Sequence, residues 1–316
     1  MDATSAKERQ FLDRVTSWAQ GSWVSWRLWE LQRSVIHHLC FLIMISLQVS
    51  VSRLPVVTVL STGNEIQEPD TELLPGHVRD SNKTTLVSLL RSVGGIEVRD
   101  GGIAKDDLAT LSSSLGAALE ASDLVVTTGG VSMGDRDLLR QVLVDKFGAK
   151  VHFARVNMKP GKPTTFATCE VAGRTRLVLG LPGNPVSASV TCHLHVLPCV
   201  RLLSGLPQPL PGVLRASLAT PGPLRLDPRP EYLRVELSFQ RGGAVGVAVP
   251  TGNQMSSRQV SDMRHLLKTN KGSLTFQASM SRANGLMLLP ARTQERETVD
   301  TGFESDVILI GNIYSK

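Results

Sequence analysis

Two short stretches concentrate the residue types that could do chemistry. One reads Thr127-Thr128-Gly129-Gly130-Val131-Ser132-Met133-Gly134-Asp135-Arg136-Asp137, the other Leu181-Pro182-Gly183-Asn184-Pro185-Val186-Ser187. In the first, the apolar, β-branched run 124–127 fits a buried parallel strand, and a helical pattern begins at Leu138. A strand that breaks into a glycine-rich loop before a helix leaves backbone N–H groups without intrahelical partners, which suits an anion. Asp135 and Asp137 lie in that loop, where carboxylates can hold Mg²⁺ against phosphate oxygens. In the second stretch two prolines fix φ and Gly183 admits close backbone approach, so the loop is stiff and its amides share a direction. The helix beginning near Ser187 adds its dipole. This is the most specific stretch in the chain, and it suits a phosphate or another oxyanion.

Further charged residues fall in neighbouring loops. Lys159 and Lys162 flank Pro160-Gly161, two ammonium groups beside a stiff turn that can neutralise phosphate-like or molybdate-like anions as point charges. Glu65, Asp80, Asp106, Asp107, Asp135 and Asp137 are six acids spread over four loops. Bare acids would repel an anionic ligand, so acids and lysines together favour Mg²⁺ with a nucleotide-like substrate. Asp106 and Asp107 also have the position of helix-starting residues. His193 and His195, two positions apart on one helix, face different sides and do not read as a ligand pair. No serine sits in a G-x-S-x-G elbow, so Ser-His-Asp catalysis is not indicated.

The elements that must position these loops follow from periodicity. Strands are expected at 55–60, 96–99, 124–127, 151–156, 164–168 and 176–181. Helices are expected at 84–93, 106–119, 138–147 and 187–203, the last kinked by Pro198. This alternation predicts a three-layer α/β domain with a mostly parallel sheet over 53–204. Ligands of such sheets gather beyond the carboxyl ends of the strands, where every polar loop named above falls. From residue 205 the composition changes: prolines punctuate a run with no helical period, and 233–239, 245–249, 286–289 and 307–310 read as short strands. That predicts a small all-β domain, barrel or sandwich, over 205–316. The stretch 259–278 interrupts it as a weakly periodic excursion.

With 41% apolar residues, the 316-residue chain can bury a core. Its net charge of +6 suits an anionic small-molecule substrate, but no Lys/Arg block has the length of a nucleic-acid-binding tail. Cys40, Cys169, Cys192 and Cys199 have neither zinc-site nor disulfide-framework spacing, as in a protein of the reducing cytosol. Residues 1–52 differ from the rest. All four tryptophans lie there, and the apolar run 39–47 falls short of the roughly 20 residues a bilayer requires. The segment reads as a poorly packed leader rather than an interfacial helix.

Five ordered motifs resemble the molybdopterin molybdenumtransferases, the family of the bacterial MoeA enzymes and the gephyrin E domain. They are Ser61-Thr62-Gly63-Asn64-Glu65, Asp80-Ser81-Asn82, Thr128-Gly129-Gly130-Val131-Ser132-Met133-Gly134, Lys159-Pro160-Gly161-Lys162-Pro163 and Gly180-Leu181-Pro182-Gly183-Asn184-Pro185-Val186-Ser187. The resemblance continues through Arg229-Pro230-Glu231-Tyr232, the stretch from Thr251 to Arg258, and Ala283-Asn284-Gly285-Leu286, covering about 53–310. It implies a MoaB/Mog-like molybdopterin-binding domain followed by the family's β domain. The implied activity is insertion of molybdate into adenylylated molybdopterin with Mg²⁺ and release of AMP. Asp137, Asp80, Lys159 and Lys162 would be catalytic, and Glu65, Asp80, Asp135 and Asp137 would face the metal. Thr62, Gly63, Glu65, Gly129, Gly130, Ser132, Gly134, Pro182, Gly183, Asn184 and Ser187 would bind the substrate, with Arg258, Ser281 and Arg282 reaching molybdate from the β domain. The family's complete enzymes carry two further domains before the strand at Pro55, where this chain has its leader. The resemblance also implies a homodimer and a cytosolic protein. The alternative it carries is a gephyrin-like scaffold, peripheral at the postsynaptic membrane, that binds a receptor loop or a cytoskeletal protein without turnover.

Overall fold

The structure, a computed structural model, describes residues 53–130, 137–239, 245–252 and 280–315. The leader 1–52 and the stretch 259–278 lie outside the described residues. The first sheet runs in the order β4 (Glu97–Ala104), β1 (Val56–Thr62), β5 (Leu124–Thr128), β8 (Arg174–Leu181), β7 (Thr165–Val171) and β6 (Lys150–Phe153). Its first four strands are parallel, with β1 and β5 in the middle and almost wholly buried, as their continuous Val/Leu/Thr runs require. On one face lie α2 (Leu108–Ala121) and α3 (Leu138–Phe147), whose Leu111, Leu115, Leu139 and Leu143 pack on Leu60, Val125 and Val178. On the other lie α1 (Ser81–Val93) and the closing helix, where Leu86, Leu90, Val196 and Val200 pack on Val57, Val59, Leu124 and Val126. These are the three expected layers.

The structure differs from the sequence reading in instructive places. The runs expected at 164–168 and 176–181 extend toward each other until they meet at a two-residue turn, Ala172-Gly173, with φ of 51° and 71°. Two successive left-handed residues match the twist of an antiparallel pair, so β7 folds back on β8 and β6 back on β7. The closing helix is α4 (Pro185–Thr191), a π turn (Cys192–Val196) and α5 (Leu197–Leu203). The irregularity expected at Pro198 is thus taken up before it, where the Leu197 N–H reaches back five residues to Cys192 O.

The second sheet is a closed circuit: β11 (Glu231–Phe239), β12 (Gly246–Pro250), β9 (Val213–Leu218), β15 (Glu304–Leu309) and β13 (Gly285–Leu289), which returns to β11. It is a barrel around Leu218, Leu233, Val235, Leu237, Met287 and Val307. Closure removes the free edges that a short sheet would otherwise present. β9 was not expected, because prolines crowd this part of the sequence; Pro211 and Pro221 bound the strand without entering it. The barrel joins the α/β layers through main chain as well as side chains. The Lys159 N–H donates to Pro230 O at 2.9 Å and the Tyr232 N–H to Lys159 O at 2.7 Å. Val186 and Val190 of α4 bury Leu286 of the barrel in a small junction core.

The closing helix also carries a buried titratable group. Burial, and then the charge of Arg201, lower the His193 imidazole from 6.5 to about 4. A histidine whose folded pKa is depressed supports the fold fully above its unfolded pKa and loses that support as pH falls toward the folded value. Unfolding free energy from denaturant titration is therefore expected to fall between about pH 6.5 and 4, by at most about 1.4 kcal/mol per pH unit from this group. His193→Leu should flatten that part of the profile. An unchanged acid limb would show that His193 is not the responsible group.

Candidate functional site

The carboxyl ends of β1, β5 and β8 lie side by side, with Ser61 paired to Thr128 and Thr128 to Leu181. The loops leaving them touch through backbone. Gly129 has φ of +88°, and a Cβ there would lie 2.3 Å from Thr62 O. Gly130, at +65°, would place one 2.6 Å from Thr62 Oγ1, and Gly183 would place one 3.5 Å from Gly129 Cα. The Gly129 N–H donates to Leu181 O at 3.2 Å, and the Gly63 N–H to Ala104 O at 3.1 Å. Glycine at 129 and 130 is therefore dictated by contact as well as by φ, and the three loops form a cradle walled by main chain.

Polar side chains surround it. Asp80 caps α1 by accepting from the Lys83 N–H at 3.0 Å, and it is 2% exposed; its Oδ2 is buried with no partner among the described residues. Thr62 Oγ1 and Asn82 Oδ1 are likewise buried and unpartnered. Such atoms are rare in native interiors and ask for a water, an ion or a ligand group. Asn184 Oδ1 accepts from the Val186 and Ser187 N–H groups and so caps α4, and the Ser187 hydroxyl donates to the same oxygen at 3.4 Å. Asp137 caps α3 through the Arg140 N–H at 3.0 Å. Burial pushes its carboxyl up, against the Arg140 amide and the charges of Arg140 and Arg155. Burial and then the charge of Glu65 raise Asp106 as well, which makes these two acids neighbours at the ends of β1 and β4.

Several expected site residues have other surroundings. Lys159 is not an open anion ligand. Its ammonium lies 3.0 Å from Glu231 and 3.6 Å from Asp227, both in the barrel half, and the lysine is largely buried. A buried carboxylate such as Glu231 needs a cation, and Lys159 supplies it. Lys162, three residues on in the same loop, has no ion pair among the described residues, and only its carbonyl is engaged, by the Val156 N–H. Ser281 shares a groove of about 380 Å³ with Ser81, Pro185, Ser189 and Met280, which brings it to the start of α1 and α4. Arg282 is exposed and pairs with Glu236 at 3.3 Å. Ser132, Gly134, Asp135 and Arg258 lie outside the described residues.

Of the expected metal set, Asp135 lies outside the described residues, and Glu65, Asp80 and Asp137 do not converge. Among the described residues no three of His, Cys, Asp and Glu gather in a group able to hold a metal ion. Asp80 and Asp137 each cap a separate helix, while Glu65 faces Asp106. The described carboxylates do not by themselves make a Mg²⁺ cage. Sequence reasoning placed Asn82 and Glu231 in motifs without giving either a role, and did not single out Arg234. Arg234 is 3% exposed, and burial lowers its guanidinium to about 10 against the charge of Glu231. The spacing of the sequence gives no sign of the contacts of Asn82 and Glu231, because Gly183 and Lys159 lie 101 and 72 positions away.

Two substitution pairs test this geometry. Lys159→Ala should destabilise the chain by about 3 kcal/mol by leaving Glu231 unpaired, whereas Lys162→Ala should leave its denaturation midpoint within experimental error. Equal effects would show that the two lysines share one role. Gly129→Ala should cost about 3 kcal/mol or more through overlap with Thr62 and left-handed strain, against about 1 kcal/mol for Gly148→Ala, where only the strain applies. Gly148 has φ of 59° and open space at its Cβ position.

Comparison with known proteins places this arrangement. Residues 58–202 match the family model described as a probable molybdopterin binding domain. The chain is 36% identical over 248 residues to the molybdenum cofactor synthesis protein cinnamon of Drosophila melanogaster, covering 78% of this chain and 37% of that protein. It is 34% identical over 292 residues to gephyrin of Dictyostelium discoideum, covering 83% and 37%. Among solved structures, the molybdopterin biosynthesis MoeA protein of Pyrococcus horikoshii superposes with a TM-score of 0.60 at 28% identity, over 81% of this chain and 54% of that one. The chain thus spans little more than a third of the length of these two curated relatives. Over that part of the relatives' length the chain is similar to the molybdopterin molybdenumtransferases and gephyrin, and its residues 58–202 match their molybdopterin-binding domain.

Proposed function

We propose that this chain binds adenylylated molybdopterin along the carboxyl edge of its α/β sheet and takes part in inserting molybdate there, with release of AMP. The observation that carries the reading is the glycine-walled cradle between Thr62, Gly129 and Gly183, with Asp80 Oδ2 and Thr62 Oγ1 buried beside it and unpartnered among the described residues. The glycines let the three loops pack against one another at the strand ends, so the loops that would meet the ligand are held in one fixed arrangement. Cleavage of a phosphoanhydride accumulates negative charge on the departing phosphate, and fixed positive groups stabilise it most where water is excluded. Lys162 supplies such a charge. Asp137, raised by its burial, is the acid suited to take a proton from the attacking oxygen. Mg²⁺ enters this reading with the phosphates of the substrate, consistent with the few protein ligands it usually takes. A homodimer in the cytosol completes the reading, on the strength of the resemblance.

The test is AMP release from adenylylated molybdopterin by the purified chain, measured with and without molybdate and Mg²⁺. Asp137→Asn should lower the rate at least about a hundredfold with little change in melting temperature, because asparagine also caps helices. A large fall in melting temperature would make Asp137 a structural residue. Molybdopterin binding without AMP release, in the unaltered chain, would mark it as a binding module and favour the scaffold over the enzyme.

A further inference from the structure

Asn82 lies at the start of α1, 9% exposed, and its amide nitrogen donates to acceptors on two different loops. One is Thr128 Oγ1 at the end of β5, at 2.8 Å; the other is Gly183 O in the loop after β8, at 2.9 Å. A carbonyl only accepts, so the nitrogen of the amide and not its oxygen must face Gly183. Having accepted from Asn82, the Thr128 hydroxyl turns its own proton toward Pro182 O, 3.5 Å away. Leu181 O accepts from the Gly129 N–H. Three successive carbonyls, at 181, 182 and 183, are therefore all held toward β5 and α1. In a trans peptide the N–H points opposite to the C=O. The N–H groups of Gly183 and Asn184 are consequently turned to the other side of the loop.

We propose that Asn82 is a positioning residue for the anion. By binding Gly183 O directly, and Pro182 O through the Thr128 hydroxyl, it fixes the facing of the main chain at 181–183, on the edge read as the phosphate site. The inference rests on the reading of this edge as the molybdopterin site. It differs from simple cohesion between loops. Cohesion would appear as stability, whereas the facing of peptide groups appears as affinity in a chain that is still folded.

The experiment measures molybdopterin affinity of the 316-residue chain by anaerobic fluorescence titration well below its melting temperature. Asn82→Ala and Thr128→Val are each expected to weaken binding about tenfold, the loss of one well-placed hydrogen bond. Because both act on one relay, the double variant should be no more than about twofold worse than Asn82→Ala. Thr128→Ser, which keeps the hydroxyl, should bind as the unaltered chain does. Unchanged affinity in Asn82→Ala, or losses that multiply in the double variant, would overturn the proposal. Amide hydrogen exchange of the ligand-free chain provides a second arm. In Asn82→Ala the Gly129 amide should exchange about tenfold faster while Val125 and Val126 keep their rates. Acceleration throughout β5 would reveal general destabilisation and overturn it. If the unaltered chain does not bind molybdopterin, the functional reading fails, and the Gly129 amide alone decides whether Asn82 holds the loop; an unchanged rate rejects that too.

Discussion

The molecule depends on one close approach, between the backbone at Thr62 and the backbone at Gly129. Two parallel strands that pair directly must send their following chains into the same small volume, and here Thr62 fills it so closely that residues 129 and 130 carry no side chain. The absence of a Cβ at residue 129 lets the β5 loop lie against the end of β1, where its N–H reaches Leu181 of the next strand. That contact brings three strand ends within one cradle. The capping residues act around it: Asp80 for α1, Asp137 for α3 and Asn184 for α4 each fix where a helix departs from the same edge. A helix start needs an acceptor for its free N–H groups, so the polar residues of this edge have a local task before any ligand is considered. Asp80 exceeds that task, because one oxygen caps the helix and the other is left buried without a partner among the described residues.

A second constraint joins the barrel to the layers. Lys159 exchanges main-chain hydrogen bonds with Pro230 and Tyr232 and places its ammonium between Asp227 and Glu231. Glu231 is 2% exposed, and burial pushes its carboxyl up despite the lysine beside it. An ion pair that is costly to desolvate adds little net stability over an apolar contact, but it penalises any arrangement that separates its partners. The two halves of Arg53–Lys316 are thereby held in one register, and the loop carrying Lys162 is anchored with them.

Much of this was legible in the sequence, and the limits have physical causes. The parallel strands showed as β-branched runs, and the glycine pair at 129–130 announced backbone that other residues cannot adopt. The caps at Asp80, Asp107 and Asp137 stood where helical periods began. These signals are local, each confined to a few neighbouring positions. The role of Lys159 was not legible, since Glu231 lies 72 residues further on and only the fold brings them together. The same holds for Asn82 and Gly183, separated by 101 positions. β9 was hidden for a different reason: prolines lower strand propensity in any window that contains them, whether they stand inside the strand or at its borders. Glu65, Asp80, Asp135 and Asp137 read as one metal set because a sequence shows which residues share an edge but not which of them converge.

The π turn at Cys192–Val196 has a consequence for the helix that contains it. One extra residue within a helical turn shifts every later side chain around the axis by about 100°. Before the turn, Val186 and Val190 face Leu286 of the barrel; after it, Leu197 and Val200 face the sheet with Leu86 and Leu90. A regular helix carries a single apolar stripe and serves a single neighbour, whereas this one changes partner partway along its length. The turn works as a change of phase. A deletion of one residue there would realign the stripe and force the helix to choose between the barrel and the sheet.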